Sequence, residues 1–265
     1  IVCPNNLGGC AGSTGPTSIN PASKEPYGGD FPVVSVSDWV NSQKLLMEHL
    51  GINKWEIVIG GSLGGMQALE WSLSYPHLVN KAGVIAAAAK ASTQNIGMNE
   101  VAREAIRKDE NFHDGNYLAM RTKPKRGLKT ARMLGHITYL SEEHMNLRFG
   151  RKVQNEDTKI DGYVDFEIEN YLKYKGEKFS DSFDANSYIL MTKAMDGYDP
   201  ASKKNGNLTK AMEPIKAKLL IVGFETDWLF PAKRGKEIQA AAMNANVLSS
   251  FVILPGNQGH DSFLF

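Results

Sequence analysis

The sequence predicts an α/β protein with a mostly parallel sheet and one inserted helical segment. Short apolar runs occur at 55–60, which is rich in β-branched residues, at 81–89 and at 218–231. A helical pattern lies between the first two, and this β-α-β order is typical of parallel sheets with helices on their faces. Between residues 94 and 212 the strand-like runs vanish and helical patterns prevail. The length of 265 residues, 42% of them hydrophobic, suits one such domain with an insertion.

The N-terminal part of the chain leads up to the first strand. Residues 8–32 are rich in Gly, Pro, Ser and Asn, which predicts a long set of turns, and loops of that length usually serve a site. Ser37 offers an N-cap for a helix whose apolar residues recur at helical spacing until Gly51. The run at 55–60 then has the composition of a buried parallel strand.

The remaining elements continue this alternation. Apolar residues at helical spacing follow Ser62, and residues 81–89 form the next predicted strand. After the helical segment, a strand begins at residue 218, a helix covers 232–245 and a last strand covers 249–256.

These elements divide the chain into two parts. We assign residues 1–93 and 213–265 to the α/β core and residues 94–212 to a helical lid. Within the helical lid, residues 150–162 are polar enough to predict a mobile surface loop.

Composition limits the partners of the protein. Thirty basic and twenty-nine acidic residues give a formal net charge of +1, which favours neither nucleic acid nor an anionic membrane surface. The sequence contains no membrane-spanning run and no secretory signal pattern, so we expect a cytoplasmic protein that binds a small molecule. Cys3 and Cys10 lack the companions that a disulfide framework or a metal site requires, so we expect reduced thiols and no bound metal.

One short motif carries chemistry. The segment Gly60-Gly61-Ser62-Leu63-Gly64 joins a predicted strand to a predicted helix, which is the context of the G-x-S-x-G nucleophile elbow. This turn strains Ser62 and exposes its hydroxyl, and a Cβ at Gly60 or Gly64 would crowd the neighbouring strand and helix. The Leu63 N–H at the helix N-terminus becomes an oxyanion donor. The alternatives are an idle serine and a phosphate loop, which would want a lysine beside the serine.

A serine nucleophile needs a base and an acid, and this elbow takes them in the chain order Ser, Asp/Glu, His. Asp227 and His260 each follow a predicted strand, at the C-terminal ends where parallel sheets carry their active sites. Glu225 is the fallback acid. Of the other histidines only His136, in the helical lid, competes, either near the site or packed within its helix.

Six segments together resemble one family: GGCAGSTGPTSINP, GGSLGGMQALEW, ARMLGHITYLS, KFSDSFDANSYI, DWLFP and GHDSFL. In this order, over nearly the whole chain, they are similar to the homoserine O-acetyltransferases, acyltransferases of the α/β-hydrolase fold. The resemblance implies a triad of Ser62, Asp227 and His260, with Arg132 and Asp261 contacting the amino-acid substrate. It also implies that acetyl-CoA, a co-substrate and not a permanently bound cofactor, gives its acetyl group to the homoserine hydroxyl through an acyl-serine, on the way to methionine.

The residue types agree with that chemistry. Homoserine is a zwitterion, and a guanidinium and a carboxylate are the groups that bind its two charges. Arg132 and Asp261 supply one of each. Their ordinary alternatives are a salt bridge within the helical lid for Arg132 and a helix N-cap for Asp261.

Several alternatives stay open at this point. Succinyl-CoA could replace acetyl-CoA and serine could replace homoserine, because these choices depend on a few pocket contacts; an esterase with the same triad and a non-catalytic member are the other hypotheses. The basic residues Lys123, Lys125 and Arg126 either meet the CoA phosphates or form a solvated loop. The apolar helices of the lid predict a homodimer formed through them.

The chain begins without methionine. The resemblance places the first strands of the sheet, and the loop with the second oxyanion donor, upstream of this sequence. We therefore expect an unpaired sheet edge in this chain.

Overall fold

The computed structural model describes residues 1–153 and 165–265, so most of the predicted surface loop at 150–162 lies outside the described residues. Its centre is a four-stranded parallel sheet in the order β1-β2-β3-β4. The strands are β1 (Trp55–Gly61), β2 (Val79–Ile85), β3 (Lys218–Phe224) and β4 (Ser249–Leu254). The helices are α1 (Val36–His49), α2 (Leu63–Ser74), α3 (Thr93–Arg107), α4 (Lys125–Tyr139), α5 (Glu142–Arg148), α6 (Glu167–Ser182), α7 (Ala185–Gly197), α8 (Leu208–Met212) and α9 (Ala232–Asn244). None of the described helices is long and apolar enough to cross a membrane.

The predicted strands are confirmed, with one correction at the end of β2. The sequence predicts a strand over 81–89, but β2 ends at Ile85. Ala86 has a φ of 46°, and its N–H donates to the Val222 carbonyl at 2.8 Å. The chain therefore turns off the sheet at Ala86, a backbone conformation that composition does not reveal.

The start of α1 also differs from the prediction. Ser35, not Ser37, is the N-cap, and it forms a capping box with Asp38. The Ser37 hydroxyl instead donates to Glu70 Oε1 on α2 at 2.7 Å. The two serines are equally good caps by residue type, and Ser35 has the partner for a capping box in Asp38, three residues further along the chain.

The main hydrophobic core lies on one face of the sheet. Side chains from this face, such as Val84 and Ile221, form a single cluster with residues of α1, α2, α8 and α9. On the other face Ile57, Ile59 and Leu220 are 50%, 58% and 46% exposed, although parallel sheets are usually buried on both faces. The predicted parallel sheet with packed helices is observed, with the helices of the main core on one face, and β1 lies at an edge of the sheet.

The helices α3 to α8 lie between β2 and β3 in the chain. Helix α4 packs between α3 and α6 over a separate apolar cluster that includes Ile106 and Leu128. The guanidinium of Arg103 on α3 is buried and meets Asp196 on α7 at 2.7 Å. Helix α4 and the residue after it contact the segments that follow β3 and β4. The boundaries of the helical lid remain a prediction.

Candidate active site

Ser62 occupies the turn between β1 and α2. Its backbone has φ 56° and ψ −121°, a region that non-glycine residues rarely adopt and that costs about 1–3 kcal/mol. The Ser62 N–H donates to the Ile85 carbonyl at 2.9 Å, so the end of β2 holds the turn in this conformation. Strain of this kind persists where the surrounding structure imposes it, and the elbow motif requires it.

The glycines of the turn differ in what an added Cβ would contact. A Cβ on Gly60 would lie 2.3 Å from the carbonyl carbon and oxygen of Gly64, and a Cβ on Gly65 would lie 2.6 Å from the Ala87 Cβ. At Gly64 an added Cβ has no neighbour within 4 Å. The prediction of crowding is thus confirmed at Gly60 and wrong at Gly64, because the close approach at Gly64 involves its backbone and not the direction of its Cβ.

Asp227 and His260 form a buried pair. His260 Nδ1 lies 2.8 Å from Asp227 Oδ2, and each residue is 3% exposed. The second carboxylate oxygen, Oδ1, accepts the Phe230 N–H at 2.8 Å. A carboxylate can only accept, so the proton of a neutral imidazole lies on Nδ1 and the Nε2 lone pair is free.

The parallel sheet brings Ser62, Asp227 and His260 to its C-terminal edge. Ser62 directly follows β1, Asp227 follows β3, and His260 lies in a 3₁₀ turn (Gly259–Leu264) after β4. The His260 ring is 5.4 Å from the Phe230 ring and 6.2 Å from the Tyr139 ring, between centroids. Both of these aromatic residues line the cavity that Ser62 lines. Within the described residues no hydrogen bond joins Ser62 to His260; Asp227 and His260 are in contact, and Ser62 lines the adjoining cavity.

The cavity has a volume of about 260 Å³, and it lies between the edge of the sheet and the helices α3, α4, α6 and α7. Its wall is mainly apolar, which suits a small-molecule site with a few polar groups. Lining residues include Ser62, Leu63, Arg132, Tyr139, Phe179 and Tyr188. Leu63 is the first residue of α2, and N–H groups in the first turn of a helix have no acceptor within it, so its N–H is available to an oxyanion.

Arg132 on α4 is the cationic side chain in this wall. Its guanidinium lies 4.6 Å from the Phe179 ring centroid and 5.6 Å from that of Tyr139. In the part of the chain that the structure describes, Arg132 makes no salt bridge, so the alternative of an ion pair within the helical lid has no support there. Two aromatic rings hold the guanidinium and leave its donors for a ligand.

Asp261 follows His260 and is partly buried. Burial raises its pKa above the ordinary value, and the neighbouring His260, Arg132 and Lys175 act in the opposite direction. Its carboxylate caps no helix among the described residues, so the helix N-cap alternative has no support there. Asp261 is not one of the cavity-lining residues, and its contact with the substrate stays a prediction.

The competing candidates lie in other surroundings. His136 is 7% exposed, and its Nδ1 is 3.4 Å from the Tyr171 hydroxyl. Burial, assisted by Arg132 and Lys175, lowers the pKa of His136 to about 4. Glu225 is exposed, whereas Asp227 is buried against His260, so neither competitor is part of an acid–base pair among the described residues.

The three basic residues of the cluster, Lys123, Lys125 and Arg126, each contact an oxygen atom of the protein. Lys125 meets Asp181 at 2.6 Å, Arg126 meets Glu110 at 3.5 Å, and Lys123 Nζ donates to the Asp181 carbonyl at 2.8 Å. The structure places Lys125 and Arg126 in the first turn of α4 and not in a loop, and these protein contacts give no support to a role in binding CoA phosphates.

Sequence reasoning missed much of the cavity wall. The aromatic residues that line it include Tyr139, Phe179, Tyr188 and Phe230. Lys175 is not a lining residue, and its Nζ lies 5.5 Å from the centroid of the Tyr171 ring. All four lie within the quoted segments ARMLGHITYLS, KFSDSFDANSYI and DWLFP, which was the available signal. Their roles depend on which helix faces the sheet edge, and no local pattern contains that information.

This parallel sheet, with a serine on a strained strand-to-helix turn at its C-terminal edge, defines the α/β-hydrolase class, and the family described as the alpha/beta hydrolase fold matches residues 1–265. A homoserine O-succinyltransferase of Dechloromonas aromatica (strain RCB) is 53% identical over 264 residues, which cover 100% of this chain and 71% of that protein. The chain belongs to the homoserine O-acyltransferase family of this class, which the quoted segments predicted.

Solved structures agree on the fold. A homoserine O-acetyltransferase from Bacillus anthracis superimposes with a TM-score of 0.86 and 25% identity, over 95% of this chain and 67% of that chain. Esterase E22 superimposes with a TM-score of 0.83 and 32% identity, over 94% of this chain and 68% of that chain. The same fold therefore supports transfer to an amino acid in one relative and ester hydrolysis in another, and fold alone does not choose between them.

Proposed function

We propose that this chain transfers an acyl group from acyl-CoA to the hydroxyl of homoserine, and that the acyl group is succinyl. The observation that carries the acyl-transfer part is the buried Asp227–His260 pair at the sheet edge where Ser62 occupies its strained turn. Relatives more than 50% identical over the whole chain that are named homoserine O-succinyltransferase support the donor. The sequence resemblance favoured acetyl-CoA, and these relatives favour its alternative.

The first half-reaction forms the acyl-enzyme. His260 Nε2 takes the proton of the Ser62 hydroxyl as the oxygen attacks the thioester carbonyl, and the Leu63 N–H donates to the developing oxyanion. Asp227 holds the imidazole through Nδ1 and stabilises its cation. Collapse of the intermediate breaks the C–S bond, and His260 returns the proton to the CoA thiolate.

The second half-reaction uses the same base. His260 deprotonates the homoserine hydroxyl, which attacks the acyl-Ser62 carbonyl, and the proton then passes to the Ser62 oxygen. Arg132 binds the homoserine carboxylate, and Asp261 binds its ammonium. The second oxyanion donor and the homodimer remain predictions.

Charge around the cavity supports a succinyl donor. When homoserine attacks a succinyl-enzyme, two carboxylates and one ammonium are present together, whereas with an acetyl-enzyme the carboxylate of homoserine is the only one. Lys175 lies on α6, one helical turn from Tyr171 and one from Phe179. Its positive charge acts to lower the pKa of both His136 and Asp261. It makes no salt bridge within the described residues. Neither Lys175 nor Asp261 is among the residues that line the cavity; we propose that Arg132 in its wall meets the homoserine carboxylate, that Lys175 meets the succinyl carboxylate and that Asp261 meets the ammonium.

The test is the intact mass of the protein after mixing with succinyl-CoA or acetyl-CoA. We expect one succinyl group on the wild type, none on Ser62→Ala, and release of the group when homoserine is added, with slower and less complete labelling by acetyl-CoA. Lys175→Gln should slow labelling by succinyl-CoA roughly 10- to 150-fold, as expected for the loss of a charged hydrogen bond, and leave labelling by acetyl-CoA unchanged. Lys178→Gln, an exposed lysine of the same helix, is the matched control.

Esterase activity is the second candidate, because esterase E22 has the same fold at 32% identity. An esterase would release the acyl group to water at the same rate with and without homoserine. Equal labelling of Ser62→Ala and wild type would refute both candidates, and preferential labelling by acetyl-CoA would refute the succinyl assignment alone.

A further inference from the structure

Three backbone segments meet beside the Asp227–His260 pair. They are residues 226–228 after β3, residues 257–259 after β4, and residues 139–141 at the corner between α4 and α5. We call this meeting point the junction. Since the first segment carries the acid and the second precedes the base, contacts within the junction set the position of both side chains.

Thr226 ties the acid segment to the histidine segment. Its hydroxyl donates to the Gly256 carbonyl and accepts the Gly259 N–H at 3.1 Å. These two contacts span the residues directly before His260. Thr226 is itself the residue before Asp227, so one side chain links the backbones of acid and base.

Two hydrogen bonds link both segments to the corner between α4 and α5. The Trp228 indole N–H donates to the Leu140 carbonyl at 3.0 Å. The Ser141 hydroxyl, which caps α5 by accepting the His144 N–H, donates to the Asn257 carbonyl. The corner therefore bonds once to the segment that carries the acid and once to the segment that precedes the base.

Gly259 makes the closest approach in the junction. Its φ is +75°, and a Cβ there would lie 2.5 Å from the Ser141 nitrogen and 2.8 Å from the Leu140 carbonyl carbon. Both neighbours are backbone atoms that cannot rotate away. The histidine segment is thus pressed directly against the corner at the end of α4, the helix that carries Arg132.

We propose that Thr226 and Trp228 are positioning residues that hold His260 against Asp227 and link this pair to α4. Neither residue lines the cavity, so neither touches a substrate there. The link gives α4 two roles, since the helix that presents Arg132 to the acceptor also ends on the catalytic segments. The proposal builds on the proposed function, because it assigns His260 as the base for Ser62.

The test uses single-turnover acylation by succinyl-CoA in the full chain. Trp228→Phe keeps an aromatic ring and removes only the indole N–H, and Thr226→Val keeps the shape and removes the hydroxyl. We expect the limiting acylation rate to fall about 2- to 12-fold in Trp228→Phe and about 5- to 100-fold in Thr226→Val, with the half-saturating concentration of succinyl-CoA unchanged. Thr226→Ser should restore the rate. Trp71→Phe, which loses an indole hydrogen bond to Gln43 away from the junction, should acylate at the wild-type rate.

A second measurement needs no reaction. The proton between His260 Nδ1 and Asp227 should give a downfield NMR resonance, identified by its loss in His260→Gln, that broadens in Trp228→Phe and Thr226→Val and stays sharp in Trp71→Phe. Unchanged resonance and unchanged limiting rate in both junction variants would overturn the proposal. Failure of the wild type to form an acyl-Ser62 would instead overturn the proposed function, and the resonance would still decide on the junction.

Discussion

Replacing Arg132 by alanine separates a transferase from an esterase on this scaffold. In the proposed mechanism the CoA thioester acylates Ser62 without using this guanidinium, whereas homoserine needs it for its carboxylate. Arg132→Ala should therefore leave the first half-reaction almost unchanged and weaken the second. The acyl-enzyme should then accumulate or be lost slowly to water.

The magnitude follows from the surroundings of the guanidinium. Arg132 stacks against Phe179 and Tyr139 at 4.6 and 5.6 Å and makes no salt bridge among the described residues, so its donors are free for a bidentate contact. Losing such a charged contact costs about 1.5–3 kcal/mol, which corresponds to a rise of roughly 10- to 150-fold in the homoserine requirement. Losing the cation–π contacts should cost the fold only about 0.5–2 kcal/mol.

The assay compares single-turnover acylation by succinyl-CoA with steady-state transfer at increasing homoserine, beside a urea unfolding curve for each protein. Arg126→Ala is the matched control, because Arg126 belongs to the same helix and its side chain is 87% exposed. We expect the control to match the wild type in both half-reactions.

An equal fall in both half-reactions of Arg132→Ala would refute the reasoning. That outcome, with a loss of unfolding free energy well above 2 kcal/mol, would mean that Arg132 holds the helices around the cavity and does not bind the acceptor.

Two further predictions concern the turn and the buried histidine. Gly60→Ala should lower the unfolding free energy by about 3 kcal/mol or more, because its Cβ meets the Gly64 backbone at 2.3 Å, whereas urea unfolding of Gly64→Ala should show no loss; equal curves for the two variants would contradict the geometry. His136 should make the fold acid-sensitive. Its pKa falls from 6.5 to about 4 on burial, so the unfolded chain binds this proton first, and the wild type should lose about 2.5 kcal/mol through this group between pH 7 and pH 4.5. Urea titrations at both pH values should show that loss missing from His136→Gln, and an equal loss in both proteins would refute the assignment.

The sequence by itself determined the elements that depend on local patterns. The apolar runs that became β1, β3 and β4, the elbow around Ser62 and the chain order that selects Asp227 and His260 all follow from short segments, because strand composition and turn glycines act over a few residues. The family followed from quoted segments for the same reason, since each segment retains a local arrangement of the site.

Other features appear only in the folded backbone. Ser35 caps α1 with Asp38, while the Ser37 hydroxyl reaches Glu70 in another helix. Strand β2 ends where Ala86 adopts a φ of 46°. The crowding at Gly60 but not at Gly64 depends on the direction in which each Cβ leaves its backbone.

The surroundings of the Asp227–His260 pair depend on the tertiary structure. The Phe179 ring beside Arg132 comes from another helix, and the junction joins residues 139–141, 226–228 and 257–259 from elements far apart in the chain. Their positions depend on how helices α4 and α6 pack over the sheet edge, and packing between elements is set by side-chain shape across the whole core rather than by any local pattern.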